Sequence, residues 1–293
     1  MHTTASDGKL TPAELVARAA AAGLTTISVT DHDTVAALDE VTAAAGAGGM
    51  RVVPGIEITS VEDGRDVHIL GYFFDPHHDG LSAFLVKQRE LRVARVREIV
   101  ARLAAANVFI DAEQLVTAAA VRPGSSVGRP QIARELVRAG HVASVQDAFD
   151  LWLASGRPAF VPRRGERAAT VVRIIHDAGG VASFAHPGVT KRDDLIEMLA
   201  ANSGLDAVEV YHSDHAPEQV SSYRRLAARL GTLVTGGSDF HGEEVRPEPP
   251  VSAAEGRRAH RAVFGKVVVP PADFERFQQK AIARRAPHGR ADG

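Results

Sequence analysis

The chain has no cysteine, which excludes disulfides and thiolate ligands and leaves any metal to nitrogen and oxygen donors. Aromatic residues are scarce: one tryptophan and three tyrosines stand beside 13 histidines in 293 residues. That imbalance directs attention to imidazole chemistry. Charge of one sign is also lacking. A formal net charge of −2 sets up no global field toward duplex DNA or an anionic membrane, so an anionic substrate has to be held by local charge. No apolar run reaches transmembrane length, and the N-terminus lacks the basic-then-apolar order of a signal peptide, so a cytoplasmic location is expected and no obligate protein partner is implied. Hydrophobic content of 45% is ordinary for a globular protein with one large domain or two smaller ones.

Apolar patterning predicts alternating strands and helices. Met1 to Gly8 reads as a loop. Thr11-Pro12-Ala13-Glu14 opens a helix with a capping box, running to about Gly23. Residues 25–30 are β-branched and read as a buried strand ending in Asp31-His32-Asp33. A second alanine-rich helix follows, then a strand over 51–59, broken or bent at Pro54-Gly55. Asp63-Gly64-Arg65 reads as a turn into a strand over 66–74. Between about 81 and 155 the pattern is helix after helix, with elements near 111–120, 130–139 and 144–154. This block of roughly 75 residues reads as a helical insertion near the small end of domain size. Its basic residues, Arg92 and Arg95 among them, are expected on a solvated face diluted by Glu90 and Glu98. Alternation then returns: helix 166–178, strand 181–185 ending in His186-Pro187, helix 191–201, strand 207–211 ending in His212, helix 217–230, and strand 233–235 running into Gly236-Gly237-Ser238-Asp239-Phe240-His241. The division expected is 1–80 and 158–272 for the α/β body, 81–157 for the helical insertion, and 273–293 for a charged, flexible tail.

Repeated βα units imply a mainly parallel sheet or barrel with function at the carboxyl ends of the strands. The polar residues gather there. Asp31 and His32 follow one strand, Glu57 lies late in the next, and His186, His212 and Asp239 with His241 end three others, while His68 sits inside its own strand. Ser-Asp-x-His alone also occurs in turns and caps; the repetition at one edge is what points to chemistry. Mixed imidazole and carboxylate donors suit Zn²⁺, Mn²⁺ or Fe²⁺, and there are more of them than one tetrahedral ion uses. A cluster of two or three ions follows. Such clusters activate a water and neutralise phosphoryl oxygens, so the expected reaction is hydrolysis of a phosphate ester.

His2-Thr3 with Ser6-Asp7-Gly8, Thr30-Asp31-His32-Asp33, Gly55-Ile56-Glu57, His68-x-x-Gly71, Ala185-His186-Pro187 and Gly237-Ser238-Asp239-Phe240-His241 together resemble the PHP (polymerase and histidinol phosphatase) family over about residues 2–245. The resemblance implies a distorted seven-stranded βα barrel holding up to three ions. It implies His2, Asp7, His32, Glu57, His68, His186, Asp239 and His241 as eight of nine ligands, with Glu57 bridging. The helical insertion with Gly128-Arg129-Pro130 is similar to the branch of nucleoside 3′,5′-bisphosphate phosphatases and short-RNA 5′-exonucleases, in which the insertion caps the site. The expected substrates are therefore nucleoside 3′,5′-bisphosphates or 5′-phosphorylated short RNA, with a small phosphomonoester such as histidinol phosphate, or non-catalytic metal or nucleotide binding, as alternatives. The family opens on a strand leading into Asp-Leu-His-x-His, and Met1 stands at the "x". The first strand and its histidine are thus expected upstream of a misplaced start, ahead of a genuinely shortened chain lacking one ligand.

Outside the ligands, Arg129 and Arg163 are candidates to clamp phosphate, because a guanidinium offers a planar bidentate fork. Gln131 stands where the branch usually has histidine, and is a candidate substrate contact that cannot donate a proton at neutral pH. His212 is a candidate leaving-group acid or partner to a ligand. His77, His78, His176 and His260 read as surface or helix residues.

Overall fold

Thr11 starts the first helix in the computed structural model of the chain, which describes residues 1–120, 124–242 and 264–285. Its hydroxyl accepts from Glu14 N at 3.3 Å while the Glu14 carboxylate accepts from Thr11 N at 2.8 Å, the reciprocal cap expected for α1 (Pro12–Ala21). Strand β1 (Thr26–Ile27) follows, then α2 (Leu38–Ala47) and β2 (Arg51–Val52), which pairs parallel with β1. Pro54 ends β2 because proline has no N–H for a ladder. β3 (Gly55–Glu62) restarts immediately and turns back as β4 (Arg65–Tyr72). The two-residue turn is Asp63-Gly64, with φ of 51° and 73°, the conformation that joins twisted antiparallel strands without splaying them.

The helical stretch comprises α3 (Asp79–Ala105), α4 (Ala112–Ala120), α5 (Arg129–Arg138) and α6 (Val145–Ala148), the last continuing as a π-helical turn over Phe149–Leu153. No strand interrupts it among the described residues. It has its own apolar cluster, including Ile99, Leu103, Ile132 and Leu136. The expected solvated basic face is corrected at two positions. Arg92 and Arg95 are each 8% exposed, on the inner side of α3 with Leu85, Val96 and Ile99. Arg92 Nε donates to Asp33 Oδ2 at 2.5 Å and Arg95 Nε to the Val161 carbonyl at 2.9 Å. Burial of these cations is tolerable because those oxygens meet them.

Beyond the block come α7 (Ala168–Asp177), β5 (Val181–Phe184), α8 (Pro187–Thr190), α9 (Asp193–Asn202), β6 (Ala207–His212), α10 (Pro217–Leu230), β7 (Leu233–Gly237) and α11 (Pro271–Arg285). β3 to β7 form one sheet in sequence order, antiparallel from β3 to β5 and parallel from β5 to β7. A single bridge between His32 and Glu57 links the end of β1 to β3. The sheet is therefore mixed and not mainly parallel, since the Asp63-Gly64 turn reverses the chain where the alternation of elements suggests a crossover. One consequence is that Glu57 and His68 enter the site from within a hairpin. His32, His186, Asp239 and His241 enter from loops that follow strands, and His2 and Asp7 from the N-terminal loop.

The expectation of a flexible tail from residue 273 is corrected for α11, which packs on the sheet. Phe277 and Ala281 are buried against Tyr72, Phe73 and Val181. Tyr211 OH donates to Asp273 Oδ2 at 2.9 Å. The apolar positions 274, 277 and 281 fall on one helix face, which the surrounding charges mask in the sequence. Residues 286–293 and His260 lie outside the described residues. His176, expected as an ordinary helix residue, bonds Asp206 Oδ2 at 2.7 Å. No helix among the described residues is long and apolar enough to cross a membrane.

Asp206, 5% exposed at the start of β6, joins α7, β5 and α11. Besides His176 it accepts from Ala182 N at 2.9 Å and Arg284 Nη2 at 2.6 Å. Burial opposes its charge, but the bonds from His176 and Ala182 hold its carboxyl below the usual range. A carboxylate with a depressed pKa stabilises the fold above its unfolded value of about 3.9, and that contribution is lost as pH falls through the folded value. Asp206→Ala is expected to cost about 3 kcal/mol near neutral pH, read by urea denaturation, with the gap to wild type narrowing below about pH 4. Because it lies at the end of the strands opposite to the histidines, metal content should not change; an equal loss of metal would contradict this placement.

Candidate metal centre

The N-terminal loop is pinned into the molecule by backbone and by one buried carboxylate. His2 N donates to Phe240 O at 2.9 Å, Thr30 N to Met1 O at 2.9 Å and Lys9 N to His241 O at 2.8 Å, so residues 1–9 run between the loops that follow β1 and β7. Asp31, 2% exposed, accepts from Thr3 N and the Thr3 hydroxyl, each at 2.7 Å, and from the Ser6 hydroxyl at 2.5 Å. Gly8 is required for the same loop: a Cβ there would lie 2.3 Å from the His2 carbonyl oxygen. Together these contacts set the positions of His2 and Asp7.

Glu57 is the hub. Its Oε1 lies 2.5 Å from His68 Nδ1 and 3.1 Å from His186 Nε2, and its Oε2 lies 3.1 Å from His2 Nε2 and 3.8 Å from His32 Nδ1. His2 Nε2 is also 3.1 Å from Asp239 Oδ1. Asp7 meets His241 Nε2 at 3.2 Å and His32 Nε2 at 3.8 Å. All eight residues expected as ligands thus converge, and three overlapping groups bring donor atoms within 4.8 Å of one another: His2, Asp7, His32 and His241; His32, Glu57 and His68; His2, Glu57 and Asp239. His186 joins through Glu57 and through His68, whose Nδ1 is 3.2 Å from His186 Nε2. Two of the eight have strained backbones, His186 at φ 29° and Asp239 at φ 49°, the kind of local cost that persists where a site over-determines it.

The charges are strongly coupled. Burial opposes ionisation of Glu57, yet His32 and His68 beside it and bonds from His186 and His2 hold it well below the usual range. Asp7 is lowered likewise against burial, by His32 and His241. His2 and His186 are pushed up to about 10 and about 9 although burial opposes both, because Asp239 and Glu57 accept from His2 and Glu57 accepts from His186. Burial pushes His32 down to about 3.

This donor set fits divalent cations. Imidazole nitrogens face each other across 3.2 Å between His68 and His186, and His2 Nδ1 and His32 Nδ1 are buried without a hydrogen-bond partner among the described residues. Protons shared among three carboxylates and five imidazoles satisfy such a cluster poorly, whereas lone pairs aimed at a common cation satisfy it well. His241 is already oriented: its Nδ1 donates to the Asp239 carbonyl at 2.8 Å, turning the Nε2 lone pair toward Asp7.

The remaining candidates lie around this cluster in different ways. Arg163 Nη1 is 3.3 Å from Asp33 Oδ2 and its Nε is 3.4 Å from Asp66 Oδ2; Arg129 Nη2 is 3.4 Å from the same Asp66 oxygen. The Arg129 guanidinium also lies 5.9 Å from the ring centres of both Phe149 and Phe160. Gln131 has both ends of its amide engaged by backbone, accepting from Gly128 N at 3.0 Å and donating to Ser6 O at 2.5 Å, so it ties α5 to the ligand-bearing loop. His212 is buried beside His186, ring centres 5.6 Å apart. Burial lowers it to about 4.

Three contributors escaped the sequence reading, and a fourth, Asp31, stands at the strand end in it without the role it takes. Asp31 and Asp33 flank His32 and point away from it into hydrogen bonds; alternation along an extended segment was the available signal. Asp66 stands two residues before His68. Glu209 is 4% exposed and accepts from His186 N at 2.8 Å, and burial pushes it up to about 7. Glu209 and His212 both lie beside His186, and the register with β7 shifts between Glu209 and Tyr211.

Residues 1–148 match the family model described as PHP domain. The 5′-3′ exoribonuclease Rnm of Escherichia coli is 35% identical over 249 residues, spanning 82% of this chain and 83% of that protein. The 3′,5′-nucleoside bisphosphate phosphatase of Chromobacterium violaceum is 35% identical over 254 residues, spanning 82% and 85%. Among solved structures, a Bifidobacterium adolescentis protein described as a metal-dependent phosphoesterase superposes with a TM-score of 0.81 at 30% identity, covering 97% of this chain and 94% of that one.

Proposed function

The chain belongs to the PHP family and is a metal-dependent hydrolase of phosphoester bonds, and on that premise we propose that its substrates are nucleoside 3′,5′-bisphosphates and short RNA carrying a 5′-phosphate. The residues that would hold the ions are His2, Asp7, His32, Glu57, His68, His186, Asp239 and His241, with Glu57 shared between sites. Two or three ions of Mn²⁺, Fe²⁺ or Zn²⁺ suit these donors. When bound, such ions supply a water of lowered pKa and neutralise charge on the phosphoryl oxygens.

The observation that carries the substrate class is an excess of arginine next to this cluster. Arg92, Arg95, Arg129 and Arg163 face two carboxylates, Asp33 and Asp66. Burial and repulsion from Arg129 and Arg163 push Arg95 down to about 9, and burial and Arg92 push Arg163 to about 10. A second anionic group would relieve that repulsion. Arg129 and Arg163 are held only by long contacts, to Asp66 at 3.4 Å, to the Leu153 carbonyl at 3.4 Å and to Asp33 at 3.3 Å, for which a phosphate oxygen would compete. Arg92 orients the wall: its Nε bonds Asp33, while Asp33 Oδ1 accepts from Thr59 N at 2.8 Å beside the β3–β4 hairpin. The helical block that carries Arg92, Arg95 and Arg129 covers the site and limits water around the reacting ester. A cytoplasmic location accords with nucleotide substrates.

The test is a substrate panel on Mn²⁺-loaded protein: a nucleoside 3′,5′-bisphosphate, a nucleoside 5′-monophosphate, a 5′-phosphorylated RNA trimer and histidinol phosphate. The bisphosphate is expected to exceed the monophosphate in kcat/KM by roughly 10–100-fold, as one charge-assisted contact provides. Arg163→Met should erase most of that preference through KM. Metal-loaded protein that turns over histidinol phosphate best, or no nucleotide at all, would sink the substrate assignment.

A further inference from the structure

β6 ends at His212, which is 3% exposed and whose ring is fixed from one side by backbone. Its Nδ1 accepts from Asp214 N at 3.1 Å. A ring nitrogen that accepts carries no proton, so in the neutral imidazole the proton is on Nε2. That Nε2 is buried and has no partner among the described residues.

The neighbouring histidine shows the contrast. His215 Nδ1 donates to Val210 O at 2.8 Å and its Nε2 accepts from Gly188 N at 3.0 Å, so both nitrogens are satisfied. Two imidazoles with ring centres 5.2 Å apart are thus held in opposite tautomers, and His212 alone of the pair keeps a donor in hand. The turn carrying it is anchored, since the Ser213 hydroxyl donates to Ser238 O at 2.7 Å, next to Asp239. Its ring centre is 5.6 Å from that of His186, a residue proposed above to hold metal.

We infer that His212 donates a hydrogen bond from Nε2 to an anionic oxygen of the phosphoryl group in the site, and that it is neither a metal ligand nor a proton source. A ligand needs a lone pair, and the Nδ1 lone pair is taken by Asp214 N while Nε2 presents hydrogen. A neutral ring with one N–H can direct that bond but has no second proton to give. A buried donor left unpaired carries a desolvation cost that an anionic acceptor removes, so the residue discriminates in favour of phosphoryl oxygens. The inference rests on the chain's being a phosphoester hydrolase and not on which ester it prefers.

Long-range ¹H–¹⁵N spectra of the Zn²⁺-loaded full chain, with His212 assigned by comparison with His212→Gln, read the tautomer directly. The Nε2–H form is expected, and its Nε2 resonance should move on titration with inorganic phosphate while Nδ1 stays still. The Nδ1–H form, or no movement up to saturating phosphate, overturns the proposal. Inhibition by inorganic phosphate gives a second reading. His212→Gln, whose amide N–H reaches a similar place, should keep phosphate inhibition within about 3-fold, and His212→Phe should weaken it by about 10-fold or more with bound metal unchanged. Loss of metal in His212→Phe with its melting temperature retained would instead make His212 a ligand and overturn the assignment. Because the spectra and phosphate binding need no turnover, a wrong choice of nucleotide substrate leaves this test readable.

Discussion

Glu57→Gln is expected to lower phosphoester hydrolysis by at least about 100-fold and to reduce the metal bound per chain. Among the described residues the carboxylate is the only group within 4 Å of four of the imidazoles, two on each oxygen. An amide keeps the volume but is neutral, and it turns one acceptor edge into a donor facing histidines that themselves need an acceptor. The fold should survive, because the buried charge removed was stabilised mainly by those histidines. Elemental analysis of purified protein beside a thermal melt separates the effects. A variant with wild-type metal content and wild-type rate would show that Glu57 is not the shared ligand.

Asp31→Ala is expected to be the most damaging change outside the cluster. Three donors lose their acceptor at once in a site 2% exposed. Breaking a buried charge network of this kind costs about 3–5 kcal/mol, which for a chain this long corresponds to a fall in melting temperature of roughly 6–20 °C. The loop released carries His2 and Asp7, so metal affinity should fall with stability. Asp31→Asn keeps one oxygen and should lie between the two in both readings. If Asp31→Ala melts with wild type and binds metal normally, the N-terminal loop is held without Asp31, by its backbone bonds to residues 30, 126, 240 and 241 and by the side chains of Gln131 and Arg134.

Much of this site was legible because its grammar is local. A β-branched run followed by His or Asp places a polar side chain at a strand end, and that rule found His32, His186, His212, Asp239 and His241. Helix starts were legible for the same reason; the Thr11–Glu14 cap needs only four residues. Strand direction was not. Nothing in residues 51–74 distinguishes a crossover from a return except the turn, and the Asp63-Gly64 reversal makes the sheet mixed. Charged helix faces also misled: Arg92 and Arg95 have the spacing of a solvated stripe, and acceptors distant in sequence, among them the carboxylate of Asp33 and the carbonyl of Val161, 59 and 66 positions away, make burial favourable.

The sequence by itself determined the chemical inventory: nitrogen and oxygen donors without thiolates, imidazoles placed at strand ends, and a family resemblance that named eight ligands. Tertiary structure alone decided which of them meet at Glu57, that Asp31 and Asp33 turn away to hold a loop and two arginines, that Glu209 and His212 both come to lie beside His186, and which nitrogen of His212 accepts from backbone. The reason is range. Residue type and strand-end position are set within a few residues of chain. The partner that satisfies a buried charge or fixes a tautomer comes from a distant segment, and its identity exists only once burial has excluded water as the alternative.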